Sequence, residues 1–116
     1  MQTISDLVLD KLNTLLVVVN NKGEVEYISN SAKTLLGFEP EQLLGNNWWI
    51  IPRQDIDEGQ AINEKILSIM LHDSYHVDQG FEHALKTSKG LVKWFKWSSA
   101  MMQDDKLIGI GIDITE

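Results

Sequence analysis

Gly90-Leu91-Val92-Lys93-Trp94-Phe95-Lys96-Trp97-Ser98-Ser99-Ala100-Met101-Met102 and Leu107-Ile108-Gly109-Ile110-Gly111-Ile112-Asp113-Ile114-Thr115-Glu116 flank a short polar segment, Gln103-Asp104-Asp105-Lys106. Aromatic and β-branched residues fill both runs and the polar segment supplies a turn, so the pattern predicts a long two-stranded hairpin. Residues two apart on a strand share a face. Gly109 and Gly111 therefore strip one face of the last strand of side chains. A strand does this at a bend, or where something large lies against it. Trp97 and Phe95 on the neighbouring strand can be that something, and so can a ligand. Alternation puts Phe95, Trp97 and Ser99 on one face and Trp94, Lys96 and Ser98 on the other.

Upstream of the hairpin, residues 81–87 read as a third strand, turned by Ser88-Lys89-Gly90. Residues 72–79 are polar and read as a connector. Before it comes the longest helix, capped by Asp55, with Glu58 in its first turn and a body reaching Leu71. Gly59, Ile62, Ile66, Ile69 and Met70 form one face of it. In Asn46-Asn47-Trp48-Trp49-Ile50-Ile51-Pro52, two adjacent tryptophans cannot share one side of a regular element. One is expected to pack inward, the other at a surface or pocket mouth.

The N-terminal half is built from shorter pieces. Residues 14–20 and 25–29 read as a hairpin around Asn21-Lys22-Gly23. Asn30 is the expected N-cap of a helix over 31–36, ended by Gly37, with Phe38 as the following apolar contact. Pro40 opens a further helical turn through Leu44, closed by Gly45. Residues 3–13 form a short helix with Ile4, Leu7, Val8 and Leu12 on one face, and Thr3 with Asp6 as a weak capping box. This helix docks on its own sheet or on a second copy of the chain. Short helices between two groups of antiparallel strands mean an α+β fold, with the helices on one face of a single sheet.

The chain has 116 residues, the length of one domain. Its net charge is −7, and its ten basic residues are scattered. That excludes the basic footprint needed for nucleic acid or an anionic membrane. There is no cysteine, hence no disulfide, thiolate metal site or cysteine nucleophile. No apolar run spans a bilayer and no signal peptide is evident, so a cytoplasmic location is the expectation.

Catalysis is not expected. Asp55, Asp57 and Glu58 offset a helix dipole, Ser98 and Ser99 lack a histidine at suggestive spacing, and Gly109-Ile110-Gly111 lies within a strand rather than before a helix. No metal site is expected either, although His72, His76 and Asp73 lie close in sequence.

From about residue 13 to its end, the chain resembles a PAS domain. The resemblance rests on Asn20-Asn21-Lys22-Gly23-Glu24-Val25-Glu26-Tyr27-Ile28-Ser29-Asn30, Leu35-Leu36-Gly37-Phe38 and Leu43-Leu44-Gly45. Pro52-Arg53-Gln54-Asp55, the Lys-Gly turn, the tryptophan-bearing strand and Asp113-Ile114-Thr115 complete it. No single motif is decisive; their order and spacing carry the likeness. It implies a five-stranded antiparallel sheet in the order 2-1-5-4-3, with helices across one face and a cavity between. It also implies a non-catalytic sensory or dimerising input module of a histidine kinase, a diguanylate cyclase or a transcription regulator. Residues 1–13 would be a flanking dimerisation helix and residues 14–116 the domain. The chain's stop after Asp113-Ile114-Thr115 reads as an excised sensor segment, since in relatives that motif hands over to an effector helix.

By the same resemblance, the cavity would be lined by Asn47, Trp48, Ile62, Ile66, Met70, Phe81, His83, Leu85, Phe95, Trp97, Ser99 and Gly111. Such a lining suits a small or planar apolar ligand, and equally a filled core. Asp113 and Thr115 would relay signal. Ile4, Leu7, Val8 and Trp94 would form a homodimer surface on the N-terminal helix and the outer sheet face. A flavin–cysteine adduct is excluded without cysteine. Leu85, Phe95 and Gly111 occupy the positions where flavin-binding relatives carry amides, which argues against flavin. Haem would call on His72 or His76, but the arginines that accompany propionates are missing, Arg53 being the only one.

Overall fold

The computed structural model describes residues 4–72, 78–101 and 105–115. The elements are α1 (Ile4–Lys11), β1 (Thr14–Val19), β2 (Val25–Ile28), α2 (Ser31–Leu36), α3 (Ile56–His72), β3 (Asp78–Lys86), β4 (Val92–Met101) and β5 (Leu107–Asp113). Two 3-10 turns, Pro40–Leu43 and Asn47–Trp49, lie between α2 and α3. The strands form one antiparallel sheet in the order β2-β1-β5-β4-β3. The fold is therefore α+β, with the strand order that the resemblance implies.

Side-chain alternation decides which face of the sheet is covered. Leu15, Val17, Val19, Phe95, Trp97 and Leu107 join Leu35, Leu36, Leu43, Trp48 and Trp49 in one core, with Ile62 and Ile66 of α3 packed against it. Tyr27, Trp94, Ile110 and Ile112 are exposed instead. Trp97 is 8% exposed and Trp94, three residues earlier, 49%. α1 touches β1 and α2 while Ile4, Val8 and Leu12 remain exposed.

Three sequence expectations need correction. Asn30 does not cap α2 through its side chain: its backbone is already helical (φ −63°, ψ −17°). The turn begins one residue earlier, with the Ala32 N–H donating to the Ser29 carbonyl. Ser29 is committed elsewhere. Its Oγ accepts from the Leu16 N–H at 2.9 Å and lies 2.6 Å from Ser31 Oγ, which reaches the Thr14 carbonyl. These fully buried hydroxyls satisfy backbone where β2 leaves β1. Gly37 does end α2 in the left-handed region, at φ 80°.

The second correction concerns β3, which starts at Asp78 rather than at 81, while α3 extends to His72. Asp78 and Gln79 are polar, but strand pairing uses their backbone, opposite Ser99 and Ser98. The register is irregular between Gln79 and Phe81. Residues 73–77 of the expected connector lie outside the described residues.

The third is the tryptophan pair. Both Trp48 and Trp49 are buried. They sit in a single 3-10 turn, where successive side chains diverge by about a third of a rotation. Trp48 points to the sheet, its ring 5.9 Å from that of Trp97 in an edge-on arrangement (73°). Trp49 reaches the first hairpin and donates from Nε1 to the Gly23 carbonyl at 2.8 Å. α3 closes on this turn at Gly59, where an added Cβ would collide with the Trp49 carbonyl.

Candidate ligand-binding cavity

A cavity of about 60 Å³ lies between α3, the tryptophan turn and the covered sheet face. Val17, Val19, Leu107 and Gly109 line it from the sheet, Ile62 and Ile66 from α3, and Trp48, Trp49 and Trp97 supply aromatic walls. Its charged or titratable members are Arg53, Lys65 and His83. The glycine pair in β5 has split functions. Gly111 stands opposite both Leu15 and Trp97, and the Trp97 ring fills the space over it. Gly109 stands opposite Val17; a Cβ there would meet the same ring at 3.7 Å, an ordinary contact, and this position borders the cavity.

Of the residues expected to line a pocket, Trp48, Ile62, Ile66, His83 and Trp97 come together here. Leu85 and Phe95 are fully buried in packed core rather than at the cavity wall, and Phe95 lies 6.1 Å from Trp97, ring to ring. Gly111 is covered by Trp97. Asn47 is exposed and does not line the cavity, because its 3-10 turn directs the two following indoles inward instead. The side chains of Met70, Phe81 and Ser99 lie outside the described residues, as do those of Leu7 and His72 and the whole of His76.

Arg53 is the residue that sequence reasoning did not place. Its anchor is Pro52, fully buried, whose carbonyl accepts the Lys86 N–H at 2.8 Å at the end of β3. Arg53 is 5% exposed. Its guanidinium carbon stands 5.1 Å from the Trp48 ring centroid and 5.8 Å from that of Trp49. A guanidinium over indole faces is attracted by the ring quadrupoles. Burial pulls the Arg53 pKa down to about 10, against which nearby Glu58 acts to raise it. The group thus remains a cation at neutral pH. Its Nε is buried and has no hydrogen-bond partner among the described residues. The available signal was indirect: the chain's sole arginine, next to two tryptophans and a proline.

His83 stands beside this cation. Burial chiefly, and then Arg53, lower its pKa, while Glu58 opposes them. Its Nδ1 is 3.9 Å from Glu58 Oε1. Among the described residues, no cluster of three or more His, Asp or Glu is placed to hold a metal, and no helix is long and apolar enough to cross a membrane.

The end of β5 forms a second ordered region. The Asp113 N–H donates to the Asn13 carbonyl at 3.0 Å, at the foot of α1, and the Ile114 N–H donates to the Trp94 carbonyl at 2.8 Å. Thr115 Oγ1 accepts the Trp94 N–H at 2.8 Å, and Asp113 Oδ1 accepts the Thr115 N–H at 2.9 Å. Asp113 and Thr115 thereby connect three places in the chain: the helix–strand junction, β4 and the strand end.

The PAS domain family model matches residues 13–116. Among solved structures, the Cronobacter turicensis RpfR quorum-sensing receptor PAS domain in complex with C12:0 is similar, with a TM-score of 0.72, 20% identity, and coverage of 89% of this chain and 95% of that one. The same domain in complex with BDSF gives a TM-score of 0.71 at the same identity and coverage. A domain of the sensory box sensor histidine kinase/response regulator from Geobacter sulfurreducens gives 0.68 at 15% identity, covering 94% of this chain and 91% of that one. No curated protein matches the chain. At these identities the likeness to solved structures is one of fold.

Proposed function

The chain belongs to the PAS domain family, and on that premise we propose that it senses a small, largely apolar ligand in the cavity beneath Trp97. The observation that carries this reading is the cavity itself: space beside Gly109 and Trp97, walled by aliphatic and aromatic side chains. The similar domains in complex with C12:0 and BDSF support it. The domain does no chemistry of its own. It serves as the cytoplasmic input of a larger signalling protein, a histidine kinase, as the Geobacter neighbour supports, or else a diguanylate cyclase.

Signal leaves through a homodimer. Residues 1–13 act as a flanking helix, with Ile4, Leu7 and Val8, together with Trp94 on the outer sheet face, meeting a second copy. Exposure of Ile4, Val8 and Trp94 supports this. Ligand in the cavity biases the sheet between two settings by its differential affinity for them. Asp113 and Thr115 pass the change on, since their bonds link the sheet to Asn13 and Trp94.

A second reading has its own support. The Trp97 ring already fills the space over Gly111, as it would in a dimerisation and relay module that binds nothing. Native mass spectrometry, an absorption spectrum and thermal shift with small apolar compounds separate the two. Extra mass, or a raised Tm, supports the sensor. A colourless chain with no adduct and an unmoved Tm selects the relay module. A haem spectrum would instead direct attention to His72 and His76.

A further inference from the structure

We propose that the cavity takes an organic acid: a small monocarboxylate whose charged end pairs with Arg53 and whose apolar body lies against Trp97, Ile62 and Ile66. The inference rests on the reading of the cavity as a ligand site and narrows it to one chemistry. Arg53 is 95% removed from solvent by its 5% exposure, yet no ion pair holds it among the described residues. Two indole faces flank the guanidinium and Nε is left unsatisfied. A buried cation with an unmet donor is costly, and an anion supplied from outside removes both deficits. Carboxylate matches the planar donor fork of arginine, and an organic acid also brings the apolar body that the aliphatic and aromatic walls suit.

Lys65 and His83 also line the cavity, and among the described residues Glu58 is the acid that acts on Arg53 and His83. The volume also constrains the ligand. A water needs roughly 10–15 Å³ of such space, so 60 Å³ suits a short acyl chain or a small ring.

The experiment compares each acid with a ketone in which a methyl group replaces one carboxylate oxygen: butyrate with 2-pentanone, and hexanoate with 2-heptanone. Binding to the whole chain is followed by calorimetry in a buffer free of carboxylate and phosphate. The expected result is roughly tenfold or greater preference for the acid, the scale of a hydrogen bond to a charged group. Arg53→Met should abolish the preference by weakening acid binding more than ketone binding, and Arg53→Lys should keep part of it. Equal binding of acid and ketone to the unaltered chain would overturn the carboxylate assignment and leave the cavity reading standing. No binding of either kind at about millimolar concentration, the affinity expected for molecules this small, would overturn both. If Arg53→Met does not fold, the acid–ketone pair on the unaltered chain still decides.

Discussion

Trp97 lies against Gly111 so closely that a methyl group at position 111 would stand 2.7 Å from the ring carbons Cζ2 and Cη2. Real Cβ atoms do not approach that near, and a buried indole has little room to retreat. Gly111→Ala should therefore destabilise the fold by about 1–3 kcal/mol, the scale of overpacking. Gly109→Ala, whose Cβ would meet the same ring at 3.7 Å, should be tolerated and should narrow the cavity. Urea unfolding of both variants checks this, and equal losses would contradict it.

The two tryptophans of β4 should behave oppositely. Trp97→Ala empties a core position and should lower stability by about 3–5 kcal/mol. Trp94→Ala, on the exposed face, should change the monomer by about 0.5 kcal/mol or less. Analytical ultracentrifugation of Trp94→Ala tests the proposed dimer: weaker self-association than in the unaltered chain is expected.

Trp49 holds α3's support to the first hairpin through one buried bond to the Gly23 carbonyl. Trp49→Phe keeps most of the ring but leaves that carbonyl without its donor. The expected cost is about 1–3 kcal/mol, seen as a lowered Tm with an unchanged circular dichroism spectrum.

His83 should give the protein a pH dependence whose sign follows from its burial. Its folded pKa lies below the ordinary value of 6.5 because of burial, and then Arg53. Between the two values the unfolded chain binds a proton that the folded chain does not, so stability rises with pH there. The contribution is present above pH 6.5 and is lost as pH falls through the lowered folded pKa. Lys65 adds to the effect and Glu58 opposes it. Tm measured against pH should fall less steeply on the acid side in His83→Gln than in the unaltered chain.

Asp113→Ala removes the acceptor for the Thr115 N–H without touching the core. In a full-length signalling protein it should leave folding intact and reduce the response to ligand. Unchanged output would remove Asp113 from the relay.

The fold was legible because the middle of β4 alternates cleanly between buried and exposed side chains. A period of two in Trp94, Phe95, Lys96 and Trp97 leaves two choices for the inner face, and Gly109 and Gly111 indicate which one is covered. The cavity was legible only in part. Trp49 and Asn47 were misjudged because a one-turn 3-10 helix does not follow the geometry of a longer element, so neighbouring indoles found separate buried surroundings. Arg53 was passed over because arginine is seldom fully buried. Its burial depends on two rings just upstream, Trp48 and Trp49, and on a distant strand end, and no periodic pattern links the three. Lys65 was hidden similarly, as a cation beside the apolar stripe of Ile62 and Ile66.

The bond from the Asp113 amide to the Asn13 carbonyl places the start and finish of the sheet side by side. In a chain shortened to begin at Asn13, a short glycine–serine linker across that doorway should permit circular permutation, with new ends opened at the exposed Asn21-Lys22 tip. The same geometry suits splicing the unit into a loop of a host protein, where it would hang from one point like a pendant and load both strands of that loop together.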